Sequence, residues 1–267
     1  MYGTQKMIDL QNAQSTVQLY LNEVGIRDIK HPVLVQTKDD LPQPTHATFN
    51  MAVGLAPDKR GTHMSRFVEL LNQREWVLSI PCIQDMLITA AAKFKTDRVV
   101  IHAKFNVFIN KIAPISKAAG LLDYAIELSG ILTTNKNQTH SHTISLQVVV
   151  PVTTLCPCSK EISEYGAHNQ RSHITLKVTS DQAIHFEDLI ALVEQEASCE
   201  IYSVLKRADE KYVTERAYNN PRFVEDIVRN IAQKLHTHKT IRCSHYKIES
   251  ENFESIHNHS AYAMFEK

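Results

Sequence analysis

The sequence predicts an α+β fold: two tandem ββααββ units whose antiparallel sheets carry paired helices on one side. Three observations predict it. Apolar and polar residues alternate over several stretches, which is the period of a half-buried strand. Between those stretches lie segments with apolar residues at i, i+3, i+4 and i+7, which is the period of a helix. The order of strand, helix and strand in the first half recurs in the second, in pattern though not in residue identity. Strands with one apolar face need helices to cover it, and antiparallel sheets with helices on one side satisfy that need.

Taken in order, residues 1–30 are polar with scattered apolar positions and read as an N-terminal arm with some helix. The first unit spans 31–135. Val33–Thr37 reads as its first strand, and His46–Leu55 as its second, with Ala47, Phe49, Met51, Val53 and Leu55 on one face. After the loop Pro57–Gly61, Met64, Phe67, Val68 and Leu71 mark one helix. A break near Ser79-Ile80-Pro81 precedes a second, carried by Ile83, Met86, Leu87, Ala90 and Phe94. Alternation returns from Val99 to Ile109, and Gly120 and Gly130 bracket a further strand, Leu121 to Ser129.

The second unit spans 136–267. Ile144, Leu146, Val148 and Val150 alternate into a cysteine-bearing connection, and Ile174, Leu176 and Val178 alternate after it. Phe186, Leu189, Ile190, Val193 and Ala197 have helical spacing. Asn220 as N-cap and Pro221 at the first helical position open another helix, with Val224, Ile227, Val228, Ile231 and Leu235 as its stripe. Strands at Thr240–Glu249 and Ser260–Phe265 close the chain.

A chain of 267 residues can bury a full core. Its formal net charge of zero gives no support for a nucleic-acid or membrane-surface role. No signal-peptide core and no apolar run of membrane length occurs, so a soluble, cytoplasmic protein is expected. Five cysteines, an odd number without a secretion signal, argue against a disulfide framework. Neither GxGxxG nor GxxxxGK[ST] occurs.

The chemistry concentrates at Cys156-Pro157-Cys158, with His168 twelve positions after the first cysteine. Two readings stay open on spacing alone. One is a turn with two buried small side chains. The other is an open metal site of one thiolate with His and carboxylate ligands, since no second cysteine pair exists to close a Cys₄ site. An open site keeps a position for water and lowers its pKa. Lys206–Lys211 reads as a polar loop or helix end, and His257-Asn258-His259 enters the last strand, where both rings would share a face.

The segment Pro151–Ser172, PVTTLCPCSKEISEYGAHNQRS, closely resembles the signature of the prokaryotic type IB GTP cyclohydrolases. Further matches run through Arg60–Phe67, Lys206–Glu210, Asn219–Asp226 and Asn252–Ala261, so the resemblance covers essentially the whole chain. It implies a tunnelling fold, a homotetramer whose sheets close into a barrel with helices outside, and active sites at subunit interfaces. It implies conversion of GTP to 7,8-dihydroneopterin triphosphate and formate, the first step toward folate-type pterins. Residue by residue, it implies Cys156, His168, Glu210 and His257 as ligands of one divalent metal, with Mn, Fe(II) and Zn all compatible with such a mixed set. Cys158 becomes the thiol that faces the substrate, with Cys156 beside it in the catalytic group, and His259 a second acid/base. Glu225 becomes the carboxylate that grips the guanine edge; without a ligand, it is simply a favourable charge in a helix first turn. Lys206, Arg207, Arg216 and Arg171 are candidate cations for the triphosphate. Two other readings differ in class. A nitrile-reducing relative of the same fold would use a cysteine and NADPH without metal, and the His168–Glu210–His257 set disfavours it. A non-enzymatic purine- or pterin-binding oligomer would keep its ligand and metal content in Cys156→Ala.

Overall fold

The computed structural model of the protein describes residues 11, 13–39, 41–135, 137 and 139–267, so the expected arm at 1–30 lies partly outside the described residues. The first half contains β1 (Leu21–Val35), β2 (Gln43–Leu55), α1 (Ser65–Leu71), β3 (Val77–Leu78), α2 (Ile80–Phe94), β4 (Arg98–Ile112) and β5 (Ala119–Thr134). The second contains β6 (His140–Leu155), α3 (Pro157–Ile162), β7 (Asn169–Thr179), α4 (Phe186–Glu196), β8 (Cys199–Glu200), α5 (Arg207–Asn219), α6 (Val224–Thr237), β9 (His245–Asn252) and β10 (Ala261–Glu266).

The strands join in one sheet, ordered β10-β9-β7-β6-β5-β4-β2-β1-β3, with β8 paired to β6. The long strands pair antiparallel throughout, and only the short β3 runs parallel to its neighbour β1. Each half supplies four long strands, and the halves meet where Ala125–Thr134 of β5 pairs with His140–Val149 of β6. The sheet is open, ending at β10 on one side and at β1 with β3 on the other.

The helices cover one face. α2 lies over β4, β5 and β6, α4 over β6 and β7, and α6 over β9 and β10. The strand residues that face them form one continuous core, from Phe49, Met51 and Ile101 through Leu146 and Val148 to Ile174, Leu176 and Ile248. The other face carries His102, Lys104, Glu127, Gln147 and Lys177, which stay partly or fully exposed. Ser79 caps α2, accepting from the Cys82 N–H at 3.3 Å. The expected break at Ser79-Ile80-Pro81 is thus a helix start, with proline in the first turn where its missing N–H costs nothing.

Several elements depart from the sequence reading. The first strand begins at Leu21, because bulges after Leu21 and Ile26 and a left-handed Asp28 (φ 58°) break the two-residue period. β5 runs through Gly130 rather than stopping at it. A Cβ there would lie 2.7 Å from both Ile83 and Leu87, so this glycine lets α2 approach the sheet. The cysteine connection contains the short helix α3. Lys206–Lys211 is the start of the 13-residue helix α5, which buries only Asp209 and Ala217 and therefore shows no apolar stripe. Asn220 ends α5 instead of capping α6, and its amide donates to the carbonyls of Ala197 (2.8 Å) and Ser198 (3.3 Å). α6 starts at Val224, with the Phe223 N–H bound by Asp226 at 3.1 Å. His257 and His259 lie in the connection between β9 and β10, not on a strand. Among the described residues, no helix is long and apolar enough to cross a membrane.

Candidate active site

Cys156 follows directly on β6 and is the N-cap of α3, with Pro157 next in the first turn. Its Sγ accepts from the Ser159 N–H at 3.5 Å. The Ser159 hydroxyl donates to the Cys156 carbonyl (3.1 Å) and accepts from the His168 N–H (3.2 Å). The Cys156 N–H donates in turn to the His168 carbonyl at 3.1 Å. Three bonds thus hold the Cys156 and His168 backbones together across the turn from β6 to β7. Cys158 lies in the first turn of α3 and is exposed, whereas Cys156 is half-buried.

The His168 side chain enters a buried polar chain. Its Nδ1 lies 3.1 Å from Gln170 Oε1, the Gln170 amide donates to Thr154 Oγ1 at 2.8 Å, and Thr154 Oγ1 lies 2.7 Å from Ser172 Oγ. Glu254, just after β9, places a carboxylate oxygen 3.9 Å from the same Nδ1. The Nε2 atom has no hydrogen-bond partner among the described residues. Sequence reading assigned no role to Ser159, Gln170 or Glu254. Glu254 stood inside a matched segment, but nothing in one sequence brings it to His168 except the pairing of β7 with β9.

The remaining expected ligands do not join Cys156 and His168 in a metal-holding group among the described residues. His257 and His259 are exposed and stack on one another, ring centroids 4.9 Å apart and planes at 13°. Glu210 is exposed in the first turn of α5. That end of α5 is fixed to the β4–β5 turn. Asp209 accepts from the N–H groups of Ile115 (2.8 Å), Ser116 (2.9 Å) and Lys206 (2.8 Å) and from the Ser116 hydroxyl (2.5 Å). Burial alone raises the Asp209 pKa; the four hydrogen bonds outweigh it and hold the carboxyl far below the usual carboxylate range. The other end of α5 meets the cysteine connection, where Lys160 donates to the Tyr218 carbonyl at 2.6 Å and sits over its ring at 4.5 Å. Glu210 and Tyr218 are about 12 Å apart along the helix axis at 1.5 Å per residue. Among the described residues, no three His, Cys, Asp or Glu side chains converge as a metal-holding group. The chain joins the Cys156 and His168 backbones, and Glu210 forms no metal-holding group with them among the described residues.

The candidate cations divide. Arg171, Lys206 and Arg207 are exposed. Arg216 is engaged: its two terminal nitrogens meet the two oxygens of Glu200 at 3.1 and 3.0 Å, and the Tyr202 hydroxyl donates to the same carboxylate at 2.6 Å. Beside them, burial and then the Glu200 charge push the Cys199 thiol up to about 11. Glu225 lines a groove of about 430 Å³ between α6 and β10, with Val228, Arg229 and Met264.

A model of the family described as type I GTP cyclohydrolase folE2 matches residues 7–263. The chain belongs to this family. GTP cyclohydrolase FolE2 of Nitrosococcus oceani is 51% identical over 259 residues, 97% of this chain and 94% of that one. GTP cyclohydrolase FolE2 2 of Dechloromonas aromatica is 50% identical over 263 residues, covering 98% and 95%. In the solved structures, a hyperthermostable mutant of Bacillus sp. TB-90 urate oxidase superposes with TM-score 0.54 at 11% identity, covering 92% of this chain and 99% of that one. Urate oxidase from Bacillus subtilis 168 gives TM-score 0.53 at 8% identity, covering 92% and 98%. At such identities the likeness concerns the fold alone. Within the FolE2 family frame, the fit to a divalent ion is partial: the Cys156 and His168 backbones are joined across one turn and the His168 Nε2 carries no hydrogen bond, while among the described residues no third donor completes a metal-holding group.

Proposed function

We infer that the protein is a GTP cyclohydrolase of the FolE2 type, converting GTP and water to 7,8-dihydroneopterin triphosphate and formate. The observation that carries this is half-identity to FolE2 enzymes over nearly the full length, with Cys156, Cys158 and His168 arranged around one turn. In this reading Cys156, His168, Glu210 and His257 hold one divalent metal, Mn, Fe(II) or Zn, in a homotetramer of the tunnelling fold. The absence of a converging metal-holding group within one chain, among the described residues, supports ligands drawn from more than one subunit. A bound divalent ion supplies the Lewis acidity that attack of water at C8 of the purine demands.

The chain's own residues do the rest. Glu225 accepts hydrogen bonds from N1–H and the 2-amino group of guanine, which fixes the ring. Cys158, exposed one residue beyond the N-terminal proline of α3, is free to exchange a proton with the ring nitrogen as the imidazole opens. His259 is the second acid/base, serving the later hydration and the rearrangement of the ribose, both of which move protons. Arg171 and Lys206 meet the triphosphate. Arg216, already forked onto Glu200, acts on α5 instead. The test is to incubate protein reconstituted with Mn, Fe(II) or Zn with GTP and to measure formate and the fluorescent oxidised neopterin. Absence of both with all three metals overturns the reading.

A further inference from the structure

The strand ends beside the cysteine connection carry polar side chains where the core face is otherwise apolar. Along β6 the inward residues run Val148, Val150, Val152 and then Thr154; along β7 they run Leu176, Ile174, Ser172 and then Gln170. Thr154 and Ser172 are 0% exposed and Gln170 is 7%. Burying three polar side chains is unfavourable unless each finds a partner. They find one another, and the chain they form ends on His168.

We propose that Gln170, backed by Thr154 and Ser172, is a positioning residue that holds His168 in one tautomer and one ring orientation. An amide and a hydroxyl chain can run in either direction, so hydrogen bonds alone leave two arrangements. The Glu254 carboxylate tips the balance between them, though at its distance it makes no hydrogen bond and does not hold the tautomer without Gln170. It lies 3.9 Å from Nδ1 and favours a proton on that nitrogen. Nδ1–H then donates to Gln170 Oε1, the Gln170 amide donates to Thr154, and the Thr154 hydroxyl to Ser172. The lone pair is left on Nε2, aimed away from the chain as a ligand nitrogen must be. The inference rests on the reading of His168 as a metal ligand, and deepens it.

The test uses full-length protein labelled with ¹⁵N-histidine, metal-free, with the His168 signals assigned by their loss in His168→Ala. Long-range ¹H–¹⁵N correlation reads the tautomer. The expected result is Nδ1–H in the parent, a mixed or inverted tautomer in Gln170→Leu and in Thr154→Val, and the parental tautomer in Thr154→Ser. Thr154→Val keeps the side-chain shape, so it separates the hydrogen-bond chain from packing. Mn(II) affinity is expected to fall roughly 10–100-fold in Gln170→Leu and Thr154→Val and to return in Thr154→Ser. A parental Nε2–H tautomer, or a tautomer unmoved in Gln170→Leu, overturns the proposal. Unchanged Mn(II) affinity in His168→Ala overturns the ligand reading beneath it, and is told apart because the tautomer is measured without metal.

Discussion

Two cysteines separated by a single proline have unlike surroundings, and the difference comes from the helix that starts between them. Cys156 caps α3 and has its backbone bonded to His168, while Cys158 is turned out by the first helical residues. Their roles should therefore separate in variants. Cys158→Ala is expected to keep its bound metal, measured by elemental analysis, and to lose formate production; Cys156→Ala is expected to lose the metal. Loss of metal from Cys158→Ala would show that the two are exchanged. A second residue makes a prediction about pH. The Asp209 carboxyl is held below its unfolded value of about 3.9, so the unfolded chain binds more protons than the native one just below that pH. Its contribution is fully present above about pH 4 and is lost as pH falls further toward the lowered native value. Urea melts at pH 6 and pH 3 should show Asp209→Asn destabilised at the higher pH, with its deficit against the parent shrinking at the lower. A deficit independent of pH would mean that the four hydrogen bonds do not depend on charge. None of this was legible in the sequence, where Asp209 was one acidic residue in a polar run beside the better candidate Glu210.

At the scale of elements, what the sequence disclosed follows how each element is buried. The long central strands and α2, α4 and α6 bury one regular face, and their periods were readable to within a few residues. β1 is an edge strand with bulges, so its period was lost before Val33. α5 packs through polar groups, and no hydrophobic period could reveal it. It is held by Asp209 at one end, and at the other by Arg216 on Glu200 in the last turn and by Lys160 and Asn220. That arrangement predicts how Arg216 behaves. Arg216→Ala removes the forked partner of Glu200 in a half-buried place and leaves only Lys111 near Tyr202, and with the Arg216 side chain partly exposed such a change costs on the order of 1 kcal/mol. The midpoint of thermal unfolding should drop while the KM for GTP stays near the parental value. A raised KM with an unshifted midpoint would return Arg216 to the triphosphate.

For the molecule as a whole, the open sheet and the proposed ligand set, which does not converge within one chain, point to the same need. The sheet ends in β10, whose Tyr262, Met264 and Phe265 are exposed, and in β1, whose outer edge is covered only over two residues by β3. Exposed strand edges invite pairing with another chain unless something blunts them. Closure of such edges between subunits is what the proposed tunnelling-fold assembly would supply, and ligands shared between subunits would come together only in that assembly. Assembly and metal binding should then fail together. A lysine at Met264, 49% exposed on the edge strand, places a charge where pairing would bury it. Met264→Lys is expected to sediment as a single chain of 30.3 kDa, to keep its far-ultraviolet circular dichroism, and to lose both bound metal and formate production. A folded single chain that still binds metal and releases formate would place the whole site within one subunit and overturn the reading of ligands shared between subunits.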